Sequence, residues 1–178
     1  MAPATLTWTG ILASNNWGAE ETFGGTAVTN WSPNQLPQPG DSLIFGAAAG
    51  HFINNNNLEG PPDPRGNPPP FVVASLTFKA SYDVLGKPIE ISTAAGLTLS
   101  EPDIVVKIKL DVKVAVTQTW TGGGNGFGLN VIGVVSGGGS LNLLGPVFLK
   151  GNNSYSGATN VNPGARLHVL ADNALGLT

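Results

Sequence analysis

The chain has 178 residues, 41% of them hydrophobic and only 11% charged, with 25 glycines and 14 prolines; this supports a buried core in one folded unit and argues against a helical protein with an ion-paired surface. Eight basic residues against eleven acidic ones give a net charge of −3, so the basic footprint that nucleic acid or an anionic membrane requires is missing. The absence of cysteine excludes disulfides, thiolate metal sites and thiol nucleophiles.

The start, Met1-Ala2-Pro3-Ala4-Thr5, has neither a basic leader nor an apolar run, so no signal peptide is expected in this chain. No stretch approaches the ~18 apolar residues of a membrane-spanning helix. Residues 1–50 read as an N-terminal cap of short strands and turns. They carry Trp8, Trp17 and Trp31 among Asn, Gly and Pro and end in the alternating run Asp41-Ser42-Leu43-Ile44-Phe45-Gly46. These three rings either plug one end of the fold or offer stacking faces to a surface glycan; the plug is the plainer reading.

Residues 51–70 read as a loop or insertion. Asn54-Asn55-Asn56-Asn57 is followed by Pro61-Pro62-Asp63-Pro64-Arg65-Gly66-Asn67-Pro68-Pro69-Pro70, where missing N–H groups and fixed φ angles oppose a regular ladder. From 71 to 178 the pattern has period two. Ser75-Leu76-Thr77-Phe78, Ile89-Glu90-Ile91, Leu97-Thr98-Leu99 and Leu141-Asn142-Leu143 are short strand-like runs between turn residues. In Lys107 to Val116, one face takes Ile108, Leu110, Val112, Val114 and Val116, and the other takes Lys107, Lys109, Asp111 and Lys113, so a single long strand with one wet side is expected. The best helical fragment, Ala171 to Leu175, is one turn at most.

A glycine followed by alternating aliphatics recurs at Gly96-Leu97-Thr98-Leu99, Gly128-Leu129-Asn130-Val131, Gly139-Ser140-Leu141-Asn142-Leu143 and Gly164-Ala165-Arg166-Leu167. A sandwich has no reason to repeat that phrase. A parallel β-helix has one, because each rung of roughly 20–25 residues turns at the same place and stacks its inward side chain on the rung below. The fold expected is therefore all-β, a parallel β-helix (β-solenoid) with an N-terminal Trp-rich capping segment at 1–50 and rungs over 71–178.

Residues 137–176 contain the phrase Gly151-Asn152-Asn153-Ser154-Tyr155-Ser156-Gly157-Ala158-Thr159, then Pro163-Gly164-Ala165-Arg166-Leu167-His168-Val169. This stretch resembles the passenger-associated transport repeat of bacterial autotransporters. The resemblance implies a right-handed β-helix outside the cell or on the bacterial surface, acting in adhesion, as a stalk or fibre, or in a biofilm matrix. Within the repeat, Gly151, Gly157 and Gly164 are expected to take positive φ at corners. Asn152, Asn153, Asn160 and Asn162 are expected to bond neighbouring backbone or form amide ladders, Tyr155 to cover a corner, and Thr159 to belong to the same structural set.

Catalytic chemistry finds little support. The carboxylates are dispersed beside turn residues, His51 and His168 stand in different segments, and Gly122 to Gly128 lacks the Lys-Ser/Thr partner of a phosphate loop. No catalytic residue, cofactor or metal site is assigned, and no calcium-binding nonapeptide repeats. The function expected is that of a non-enzymatic extracellular structural or adhesive protein whose partners are other copies of itself, stacked end to end into a fibre, and surface glycans or matrix. The alternatives are a carbohydrate-binding module and a polysaccharide-acting β-helix enzyme.

Overall fold

The computed structural model describes residues 2–47, 53–60, 69–124 and 128–176, and these residues form strands and turns without a helix. The first six strands are β1 (Thr5–Trp8), β2 (Glu20–Phe23), β3 (Thr26–Thr29), β4 (Trp31–Ser32), β5 (Ser42–Phe45) and β6 (Ile53–Asn56). Then come β7 (Phe71–Val73), β8 (Ser75–Phe78), β9 (Tyr82–Gly86), β10 (Ile89–Ile91), β11 (Leu97–Leu99), β12 (Val106–Ile108) and β13 (Val112–Val114). The last are β14 (Gln118–Thr121), β15 (Leu129–Val131), β16 (Val135–Ser136), β17 (Leu141–Leu144), β18 (Pro146–Leu149), β19 (Thr159–Val161) and β20 (Arg166–Val169).

Apart from the β2–β3 hairpin, the strands lie in three sheets. Sheet one runs β19-β17-β14-β11-β8-β5-β1-β4, sheet two β20-β18-β15-β12-β9-β6, and sheet three β16-β13-β10-β7. Within these sheets every pairing is parallel except that of β1 with β4. From β5 to β16 the chain visits sheets one, two and three in turn and returns to the first.

Register follows from what each strand must bury. In sheet one, Leu6, Leu43, Leu76, Leu97, Trp120, Leu143 and Val161 pair in succession. In sheet two Val84, Ile108, Val131, Leu149 and Val169 do so, and in sheet three Phe71, Ile89, Val112 and Val135. Except for Val161 and Val169, these side chains are buried, each contributing about 1.5–3 kcal/mol by leaving water. A slip of one residue would turn every column out to solvent, so register is strongly held.

Three expectations change. The run Lys107 to Val116 is not one strand but two, β12 and β13, in different sheets. Leu110 is buried at the corner between them, so the alternation of inward and outward positions continues through the bend, and Val116 beyond β13 is 42% exposed. The segment 51–70 contains a strand: β6 pairs with β9, and its Asn54 and Asn56 are buried; Asn56 is accommodated because an amide can bond across to neighbouring backbone, its Nδ2 donating to the Lys87 carbonyl at 2.9 Å. The prolines at 61–68 lie outside the described residues. Finally, β1 and β5 fall within the expected cap, yet they are in-register members of sheet one, so the stacked part begins before residue 71.

The N-terminal edges of all three sheets are covered by the chain itself. β4 pairs antiparallel with β1. Asn55 of β6 donates its N–H to the Asn15 carbonyl and accepts from the Trp17 N–H, both at 3.0 Å. The Gly40 N–H donates to the Val72 carbonyl at 3.0 Å and the Ala74 N–H to that of Asp41 at 2.8 Å. Trp8, Trp17, Trp31 and Phe45 close the interior there, with ring centroids 5.2–6.4 Å apart. The other end is more open: inward positions Val161 and Val169 of β19 and β20 are 48% and 45% exposed.

The Tyr82 hydroxyl donates to the Gly46 carbonyl at 2.5 Å, and burial pushes its pKa from 10.0 up to about 12. Burial also raises that of Tyr155, opposed by its hydrogen bond with Thr159. A phenol whose pKa is raised by folding contributes stability that is complete below its unfolded value and lost as pH climbs through the folded one. The expected result is that the chain stays folded at pH 10 with Tyr82 protonated, and that alkaline unfolding accompanies its ionisation near pH 12, with Tyr155 ionising above its ordinary value. Ultraviolet titration of phenolate alongside circular dichroism measures this; a tyrosine ionising at its ordinary pH in the folded chain would contradict it.

Candidate functional site

The residues of the Gly151–Thr159 phrase come together in one place, across β16 at the edge of sheet three. The Ser154 N–H donates to the Val135 carbonyl at 2.8 Å and the Ser156 N–H to that of Gly137 at 2.9 Å. Asn153 is buried and works in both directions. Its Oδ1 accepts the Val135 N–H at 2.8 Å, while its Nδ2 donates to the Ala174 carbonyl at 2.6 Å. It therefore joins β16 to the turn at 172–175. Asn160 Nδ2 donates to Asn142 Oδ1 at 2.9 Å, forming an amide ladder, and Asn162 Nδ2 donates to the Leu143 carbonyl at 3.1 Å. Asn152 is exposed.

The glycines of the phrase differ in their reasons. Gly164 has φ +82°, as expected at a corner, but Gly151 and Gly157 are absent from the positive-φ glycines. What requires glycine there is close approach: a Cβ at Gly151 would run into the Gly133 carbonyl, and one at Gly157 into that of Gly139. Tyr155 is fully buried in the interior rather than laid over a corner, its hydroxyl 2.6 Å from Thr159 Oγ1.

Trp8, Trp17 and Trp31 are also buried. Trp31 Nε1 donates to the Trp17 carbonyl at 2.8 Å, and the rings meet edge to face. No ring face is open to a sugar in this arrangement.

The outer faces of the sheets are chemically distinct. On sheet two, Asp83 binds Lys109 at 2.7 Å and Lys107 at 3.6 Å, beside a pocket of about 240 Å³ formed by Ile53, Ser81, Tyr82, Asp83, Val105 and Lys107. Farther along, His168 stacks on Phe148 at 4.2 Å with the planes 10° apart, and Lys150 Nζ lies 5.8 Å from the Phe148 ring centroid. On sheet three, Lys113 binds Glu90 at 2.8 Å. These exposed pairs each contribute about 0–1 kcal/mol, so they order the faces more than they hold the fold. Sheet one bears no charged residue at any strand position. Neither that segregation of charge nor the Phe148–His168 stack is visible until register is known.

Among the described residues, no three of His, Asp and Glu gather where a metal ion could sit, and no helix is long and apolar enough to cross a membrane; His51 lies outside the described residues. No family model, curated protein or solved structure matches the chain.

Proposed function

We propose that the chain is a right-handed parallel β-helix with a tryptophan-filled N-terminal cap, serving as a non-enzymatic structural or adhesive element outside the cell or on a bacterial surface. The observation that carries this reading is the set of largely apolar columns, with Asn54 and Gln118 as buried polar members, through three sheets visited in a fixed order from β5 to β16. Right-handedness follows from the strong preference of parallel crossover connections. The same columns leave the interior to packing, and the exposed positions carry isolated ion pairs, amide ladders and threonines, materials suited to a durable rod. The covered N-terminal edges narrow the expected self-association. A head-to-tail fibre needs two open ends, whereas contact through β19 and β20 alone makes at most a pair.

The test is adhesion of particles coated with the purified chain to bacterial biofilm, run beside light scattering of the free chain. Retention above uncoated particles, with single or paired molecules in solution, is the expected result. The enzyme reading draws on one cluster, Asp83 with Lys107 and Lys109 next to its pocket. Release of reducing ends from polysaccharides by the native chain, abolished in Asp83→Asn, would overturn the adhesive reading in its favour.

A further inference from the structure

We propose that the outer face of sheet one binds the surface of ice, a periodic lattice of ordered water. The face is built by register. Thr77, Thr98 and Thr121 occupy equivalent outward positions on β8, β11 and β14, one strand apart and so about 4.8 Å from one another. Thr7 stands in the same row on β1. A second row lies two residues back along the strands, about 6.6 Å away, and holds Thr5 and Thr119; Ser42 and Ser75 share it, joined by a 3.2 Å hydrogen bond, Gly96 leaves a gap before β11, and Asn142 and Asn160 continue the row beyond Thr119. Ile44 and Leu144 add apolar positions to the first row. Both repeats are of the size of the oxygen repeats on the faces of hexagonal ice.

Three features select that ligand. The hydroxyls of Thr77, Thr98, Thr119 and Thr121 have no hydrogen-bond partner among the described residues, so they are uncommitted, and the β-branched side chain fixes hydroxyl and methyl together in few rotamers. Such preorganisation lowers the cost of ordering on binding. The strand positions carry no charge, with Lys79 standing just past the end of β8, whereas the other two sheets carry Asp83, Lys107, Glu90 and Lys113 at strand positions; a neutral lattice is met by the one face whose strand rows hold no lysine and none of its strongly held hydration. Finally, no aromatic ring stands in either row, and a polysaccharide lattice would be gripped chiefly by ring stacking.

The proposal stands apart from the adhesive role and is tested by slow freezing of the purified chain, measuring its partition between ice and residual liquid. The native chain is expected to enrich in ice at least tenfold over serum albumin. Thr98→Lys and, separately, Thr121→Lys are expected to abolish the enrichment while keeping the native circular dichroism and melting temperature, and Ser136→Lys on sheet three to leave it intact. A native chain excluded from ice like albumin, retention of enrichment in both lysine variants, or adsorption to crystalline cellulose without enrichment in ice would each overturn it. Should a lysine variant misfold, the native result and the other variant still decide.

Discussion

Trp120→Ala is expected to lower unfolding stability by about 3–5 kcal/mol, the range for removing a large aromatic side chain from a packed core. Trp120 sits in the middle of the longest column, between Leu97 and Leu143, and is fully buried. Its Nε1 donates to Gln118 Oε1 at 2.9 Å, and Gln118 Nε2 in turn donates to the Ile91 carbonyl at 2.8 Å. The truncation leaves both a cavity and a buried amide oxygen without its donor, the second worth roughly 1–3 kcal/mol by itself. Trp120→Phe keeps most of the ring but loses the donor, so it is expected to cost about half as much. Urea unfolding followed by circular dichroism gives both values. A loss under about 1 kcal/mol for the alanine variant would mean that the column is not packed as described.

The inward pattern is legible in the sequence because it is local: Leu76, Ile89, Ile91, Leu97 and Leu141 each declare themselves by alternation and each is buried. The corners are not legible, since the alternation carries through them. Leu110 keeps the beat of Ile108 and Val112 while the chain passes from one sheet to the next, so a bent pair of strands reads as a single straight one. β6 is hidden for a different reason. A run of four asparagines has the chemistry of a turn, and only the backbone groups of another circuit, such as the Lys87 carbonyl, turn Asn56 into a buried strand residue. Asn153 poses the same problem in the repeat: the phrase is conspicuous, but its bonds to Val135 and Ala174 reach 18 residues back and 21 forward. The neutral face of sheet one is least legible of all. Thr77, Thr98 and Thr121 belong together only through pairings that span more than 20 residues each, and nothing near any one of them announces the others.

Gly137→Ala is expected to be among the most damaging single-atom-scale changes, and Gly164→Ala among the milder ones at a comparable backbone angle. Both glycines have positive φ, +106° and +82°, where an L side chain costs roughly 1–2 kcal/mol. They differ in what surrounds them. A Cβ at Gly164 meets nothing, whereas one at Gly137 would overlap the Val114 carbonyl on the neighbouring strand. That obstacle is backbone and cannot rotate away. Relief requires the two layers to separate, which strains the Gly139 N–H bond to the Val114 carbonyl at 3.0 Å on one side and the Ser156 N–H bond to the Gly137 carbonyl at 2.9 Å on the other. Overpacking of this kind adds about 1–3 kcal/mol, so Gly137→Ala is expected to cost about 2–5 kcal/mol in total and Gly164→Ala no more than about 2 kcal/mol. Against a typical total of 5–15 kcal/mol for a domain, the first threatens folding at elevated temperature and the second does not. Paired urea titrations of the two variants decide it: equal losses would show that backbone angle alone sets the demand for glycine, and that close stacking of successive layers does not.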